Sequence, residues 1–497
     1  MSPARLLPLA LSAILLAAPF AAGAADSTAA TTFQQRWENA QTTATSGNTL
    51  GAMVEFEKLI DDPQLATLAP EARAEGARVG GMTAYLQHDN PLARRYLQMA
   101  LAVDPGDVEA LMPLVSVDLS EDQNELAVTH LLQATAHARE PLEFDTQVVS
   151  FLQYTLRDQP ARRREVLKAL FDNGWKSDGL EPGAFWVLLA SLQIDTDSGR
   201  DVAATLERVR TPLELITVRS DKRFDRYVDR NDPRYDPERA ARQYLDELRV
   251  SSLLDRSLDA ALVDFSSTQL MLGENEQVVQ FSDGIAGFVA EGNLPNGPEA
   301  QWLAWLLSNR MIALRRLDRL DDSVATARLA EKVGARGPDH VDHVINLAFM
   351  LAATDQLDEA VSVLARLDDL SPYGESAQAL VGFLAARKRG DAAAEASARA
   401  TLVRNRDTAR TFHREMLLEE GDLDGAAAAL IGQLQSPHDR TEVLLDLQDM
   451  RVYPSLPTEM EVDARWRQLK QRADVRAAIA KVGRVERYAL YGNASSR

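Results

Sequence analysis

Cysteine is absent from all 497 residues. The fold has no disulfide to rely on and must be held by packing alone, and no lipid can be attached at a cysteine. Aromatic residues make up only 6% of the chain, too few for a membrane bundle, and beyond the first two dozen residues no apolar run is long enough to cross a bilayer. Basic residues are outnumbered, 54 Lys and Arg against 74 Asp and Glu, giving a formal charge of −20. Such a surface repels polyanions, so nucleic acid and anionic headgroups are excluded as expected partners. The densest basic run, Arg162-Arg163-Arg164, reads as the solvated face of a helix. Neither disorder nor collagen fits a chain with 45% apolar residues, 26 Gly and 21 Pro; a large globular core does.

Residues 1–24 carry one positive charge at Arg5, an apolar stretch from Leu6, and Ala22-Gly23-Ala24 ahead of Asp26. This is the pattern of a secretory signal peptide, with Pro8 and Pro19 arguing against an uncleaved anchor. A soluble protein exported to the periplasm is the expectation.

Strand-like alternation is nearly missing, and internal repetition takes its place. LARRYLQMALAVDPGD sets Ala93 and Ala100 seven apart before Pro105, and ELAVTHLLQATAHARE repeats the spacing at Ala127 and Ala134, 34 residues on. A later series places Ala360, Ala393 and Ala426 at intervals of 33. Small residues at a fixed period allow antiparallel helices to cross closely, where a larger side chain would hold them apart. Apolar residues recur around them at helical spacing, as in Ile345, Leu347, Phe349 and Leu351 on one helix and Ala360, Leu364 and Leu367 on the next. Asp104-Pro105 and Ser371-Pro372 end second helices, because a residue preceding proline is driven out of the α region.

On Leu347, Ala348, Leu351, Ala360, Leu364 and Pro372, and again on Gly81, Ala93, Ala100 and Pro105, the sequence resembles the tetratricopeptide-repeat family. The resemblance implies an all-α solenoid of antiparallel helix pairs wound as a right-handed superhelix, lined on its inner surface by first helices that receive peptide segments. Residues 25–210 are expected to form one helical array and 246–497 a second. The charge-dense segment 211–245, containing VRSDKRFDRYVDRNDPRYDP, would link them.

Catalytic signatures are missing: there is no glycine-rich phosphate loop, no G-x-S-x-G and no H-E-x-x-H. His340 and His343, with Asp339 and Asp342, have metal-ligand spacing but read better as a helix start after Gly337-Pro338. DTDSGRD at 195–201 misplaces the glycine of a calcium loop and reads as a turn. No cofactor or metal is expected.

The candidate binding residues lie on first helices. Asn309 and Asn346 each stand fourteen residues ahead of a crossing residue, Ser323 and Ala360. Their amides are suited to the backbone of a bound peptide. Trp302 and Trp305 share a helix face and are candidates for an aromatic anchor, or for core. The expected function is a non-catalytic protein-binding scaffold of the cell envelope. Two alternatives carry their own marks. An envelope hydrolase or lytic transglycosylase-type enzyme would show a partly buried Glu with a raised pKa and no ion-pair partner. A small-molecule binder would show a deep apolar cavity within a closed helical ring.

Overall fold

A computed structural model describes residues 32–196, 199–254 and 258–492. The signal peptide expected at 1–24 lies outside the described residues. The described residues carry 25 α-helices, three short 3-10 helices and two short strands, and the fold is an all-α array of helix pairs. Neighbouring helices pack on each other in sequence order. Pro70–Leu86 pairs with Asn90–Leu101, Val108–Ser120 with Asn124–His137, Pro298–Arg316 with Leu320–Gly334, and Pro372–Arg389 with Ala392–Arg404. First helices also touch the next first helix, as His340–Ala353 does Pro372–Arg389.

One local device makes these pairs. A residue with positive φ ends the first helix and the very next residue caps the second, at Gly47-Asn48, His88-Asp89, Asp122-Gln123, Gly273-Glu274, Asp318-Arg319, Asp355-Gln356, Gly390-Asp391 and Gly421-Asp422. In all eight, the N–H of the capping residue donates to the carbonyl five residues back, as Asp89 does to Ala84 and Gln356 to Leu351. This is the Schellman closure. The residue that satisfies the last orphan carbonyl of one helix therefore begins the next, and the chain reverses with no spare residues.

The fourth residue of each second helix then meets the first helix at the crossing. Ala52, Ala93, Ala127, Val278, Ser323, Ala360 and Ala426 occupy that place and are fully buried. Ala393 does not: it faces solvent. The capping residues Gln356, Asp391 and Asp422 are 35 and 31 residues apart, so the even interval of 33 lands two residues early in the middle repeat. Glu395 holds the crossing place there and pairs with Arg387 at 3.6 Å. Arg163 also departs from expectation. It is buried, with its Nε donating to Gln153 Oε1 at 3.1 Å.

The described residues divide into two compact units, one up to Pro182 and one from Gly183 onward. The first is built around Trp37, Phe56 and Tyr96, whose rings pack 5.5 to 6.1 Å apart, with the Tyr96 hydroxyl donating to the Phe56 carbonyl at 2.5 Å.

In the second unit, the ends of the array meet. The helix Pro212–Ser220 packs on Arg440–Asp446, and the strand Arg487–Tyr491 pairs in parallel with Asp449–Arg451 while lying along Pro237–Leu254 and Ala260–Leu272. The segment 211–245 thus sits inside this unit as half of a closure, with Phe224 and Tyr235 buried. Its charges have partners. Arg484 grips both oxygens of Asp225 at 2.6 and 2.7 Å and donates to the Arg219 carbonyl at 2.6 Å. Arg219 reaches Glu486 at 2.8 Å. Buried Asp221 is held by Arg223 at 2.7 Å, and Arg223 extends to Thr441 at 3.1 Å. Tyr488 and Leu490 fill the space beside Ile216 and Ala241.

Candidate functional site

The four residues singled out in the sequence do not form one cluster. Asn309 is buried and commits its amide hydrogens to Ser266 Oγ at 2.7 Å and Ser267 Oγ at 2.9 Å, tying Pro298–Arg316 to Ala260–Leu272. Asn346 is half-buried, and its amide has no hydrogen-bond partner among the described residues. Only the second rung of the expected ladder is open. Trp302 is half-buried. Trp305 is anchored from within, donating Nε1 to Asp339 Oδ2 at 2.7 Å and meeting the His343 ring edge-on at 4.8 Å.

His343 and His340 face different partners. His343 is fully buried against Ser308, with Nδ1 3.2 Å from the hydroxyl. It fits because residue 334 is glycine, where a Cβ would stand 2.5 Å from the imidazole. His340 lies 3.9 Å from Glu331. Among the described residues no three potential ligands gather around a metal position. Burial pushes the His343 imidazole down to about 4, so it is neutral at pH 7.

Beside it, the N-terminal turns of successive first helices assemble a face of different character. Asp342 lies in the first turn of His340–Ala353, Tyr373 in that of Pro372–Arg389, Phe412 in that of Arg410–Glu420 and Glu442 in that of Arg440–Asp446. Phe349 stacks on Phe412 at 5.7 Å although a whole first helix stands between theirs in the array. Rings from alternate helices meet only where the row bends inward, so this face is concave. Tyr373 leans on Phe412 at 4.8 Å and is 51% exposed. Phe412, like Asn346, stands fourteen residues ahead of a crossing residue, Ala426, which puts amide and ring in one row.

Two carboxylates flank the rings with no ion-pair partner among the described residues. Burial, reinforced by Asp339, pushes Asp342 up to about 6. Burial also raises Glu442, with Asp446 adding to the effect and Arg410 and Arg414 opposing it. The Glu442 side chain is exposed. The Tyr373 phenol is raised by burial first and then by Asp342 and Glu442, so it feels both charges. The nearby guanidiniums are engaged elsewhere, Arg410 with Asp439 and Arg414 with Asp446, each at 2.8 Å.

These shifts fix a pH dependence. Asp342 titrates near 6 in the fold against an ordinary 3.8. The fold therefore favours its protonated form, and stability is lost as pH rises from 3.8 to 6. Replacing Asp342 with Asn should raise the thermal midpoint at pH 7.5, by up to about 3 kcal/mol in stability, and the gain should vanish near pH 4. His343 has the opposite sign, since its contribution is complete above 6.5 and fades as pH falls toward 4. The Asp342→Asn variant should consequently weaken steadily on acidification across that window, as a melting series will show.

A second group of acids lies on Pro212–Ser220 and Ala260–Leu272. Tyr244 donates to Asp264 at 2.6 Å. Glu214 accepts from Thr211 and is raised by burial, with the Asp264 charge contributing to the shift. Asp264 is raised by burial as well. Neither carboxylate has an ion-pair partner among the described residues.

No sequence signal announces the aromatic face. Phe349 and Phe412 are far apart in the chain and at different depths in their helices, and only curvature brings them together.

No protein-family model matches the chain, and no curated protein matches it. Among solved structures it is similar to a circular tandem repeat protein with novel repeat topology and enhanced subunit contact surfaces. The identity is 17% over 90% of this chain and 96% of that one, at a TM-score of 0.13. A superposition that distant carries no argument, and the fold rests on the helix pairs themselves.

Proposed function

We propose that this chain is a non-catalytic scaffold of the cell envelope, related to the tetratricopeptide-repeat proteins, whose second unit offers a concave face to a peptide segment or protein partner. The observation that carries the reading is the unpartnered state of Asp342, Glu442 and Asn346 around a half-exposed tyrosine. Unpaired carboxylates in a desolvated surface cost stability, and such costs persist at functional surfaces. The signal-peptide pattern of residues 1–24 supports a periplasmic location, and among the described residues no helix is long and apolar enough to cross a membrane. Capture from envelope extract tests the reading. Partners retained by the mature chain should be lost when Asn346 and Tyr373 are together replaced by Ala, with folding unchanged by circular dichroism. Equal retention by both forms would rule this face out.

One observation favours an enzyme reading. Glu214 is partly buried, raised in pKa and lacks an ion-pair partner among the described residues, which is the mark expected of a general acid in an envelope hydrolase. Release of soluble glycan from purified cell walls, abolished by Glu214→Gln, would support this reading in place of the first. No release by the parent chain dismisses it.

A further inference from the structure

We infer that the segment received by the concave face presents a cationic side chain, arginine or lysine, with its head between Asp342 and Glu442 and its stem along the exposed Tyr373 ring. This rests on the scaffold reading and names the chemistry of its partner.

The argument is one of charge complementarity. An apolar segment laid over this face would seal two carboxylates away from water with nothing to pair them, and an unpaired buried charge is strongly destabilising. An acidic segment would add like charge to a surface already carrying Asp339, Asp342, Asp439, Glu442 and Asp446 against Arg410 and Arg414. Both of those guanidiniums are held by Asp439 and Asp446; their charges oppose the rise of Glu442 without overcoming its burial, and neither pairs with Asp342 or Glu442. A cation from outside meets all the requirements together. It pairs the carboxylates, and its apolar stem covers an aromatic ring whose face attracts positive charge.

The same unit builds this arrangement from its own residues elsewhere. Arg316 lies 4.8 Å over the Tyr453 ring and 5.5 Å over Tyr491. Arg414, while bound to Asp446, lies 4.9 Å over Trp466. At Tyr373 the ring and the acids are present, and among the described residues no guanidinium of the chain lies over that ring or pairs with Asp342 or Glu442.

The test uses two fluorescein-labelled pentapeptides, Ala-Ala-Arg-Ala-Ala and its citrulline counterpart, which keeps the shape and removes the charge. Anisotropy titrations with the full chain at low ionic strength should show the arginine peptide binding at least about tenfold more tightly. In the double variant Asp342→Asn/Glu442→Gln, that preference should disappear. Equal affinity for the two peptides, or no binding of either, overturns the inference. So does a preference that survives the double substitution, because the variant keeps nearly all of the chain's negative charge and would then be reporting diffuse attraction. If the two peptides bind alike and Tyr373→Ala weakens both, the cation inference falls while the concave face stands as a binding surface.

Discussion

Truncation after Val482 should lower the thermal midpoint of the second unit by roughly 10–20 °C. The deleted residues supply Tyr488 and Leu490, both buried, and each fully buried side chain of this size contributes about 1.5–3 kcal/mol. They also supply Arg484 and Glu486, whose removal leaves Asp225 with Arg230 alone and Arg219 with backbone carbonyls but no carboxylate. A summed loss on the order of 5 kcal/mol or more follows, since stranding a charge in a partly buried site is itself destabilising. The loss should be concentrated where the ends meet. Proteolysis of the truncated chain should cut first within 211–245, because that segment loses its contacts with Arg484 and Glu486. A truncated chain that melts with the parent would mean that the ends of the unit are held independently of one another.

Substitutions at the helix crossings have the second largest expected effect. Ala93 and Ala360 are fully buried at the fourth position of their helices, and Leu at either should overpack the crossing at a cost of about 1–3 kcal/mol. Ala393 provides the contrast. It is an alanine in the same apparent period, but it faces solvent, so Ala393→Leu should stay within about 0.5 kcal/mol of the parent. Melting curves of the three variants distinguish a position set by spacing from one set by distance to the cap.

That contrast shows where the sequence is legible. The buried alanines at 93, 127, 360 and 426 can be read because a close helix crossing selects for small side chains and leaves a mark at a fixed period. The turn that sets the register cannot be read. Its positive-φ position accepts glycine, aspartate or histidine, and such a mixture makes no visible motif. Without the turn, an average spacing puts Ala393 at a crossing that Glu395 occupies. The 211–245 segment resembles a linker because it is dense in charge. Its partners, Arg484 and Glu486, lie some 260 residues away, and charge paired across such a distance resembles solvated charge in the linear chain. Asn309 and Asn346 share a place in the repeat, yet one is tied to serines on the preceding first helix and the other is left open. What an amide does depends on its neighbour, and that neighbour is in a different repeat. The carboxylates flanking Tyr373 and the acid pair at Glu214 and Asp264 are hidden in the sequence for the same reason.

The concave face links these levels. Tight turns align the N-terminal ends of the first helices, alanine crossings draw them close, and the resulting curvature brings Phe349, Tyr373 and Phe412 together between two unpaired acids. The account stands on that face being the contact surface. Site-specific photo-crosslinking in intact cells tests it most directly, with the crosslinking residue placed either at Tyr373 or at exposed Ala393. The account predicts a discrete adduct from position 373 and none from 393. An adduct from 393 with none from 373 would contradict it.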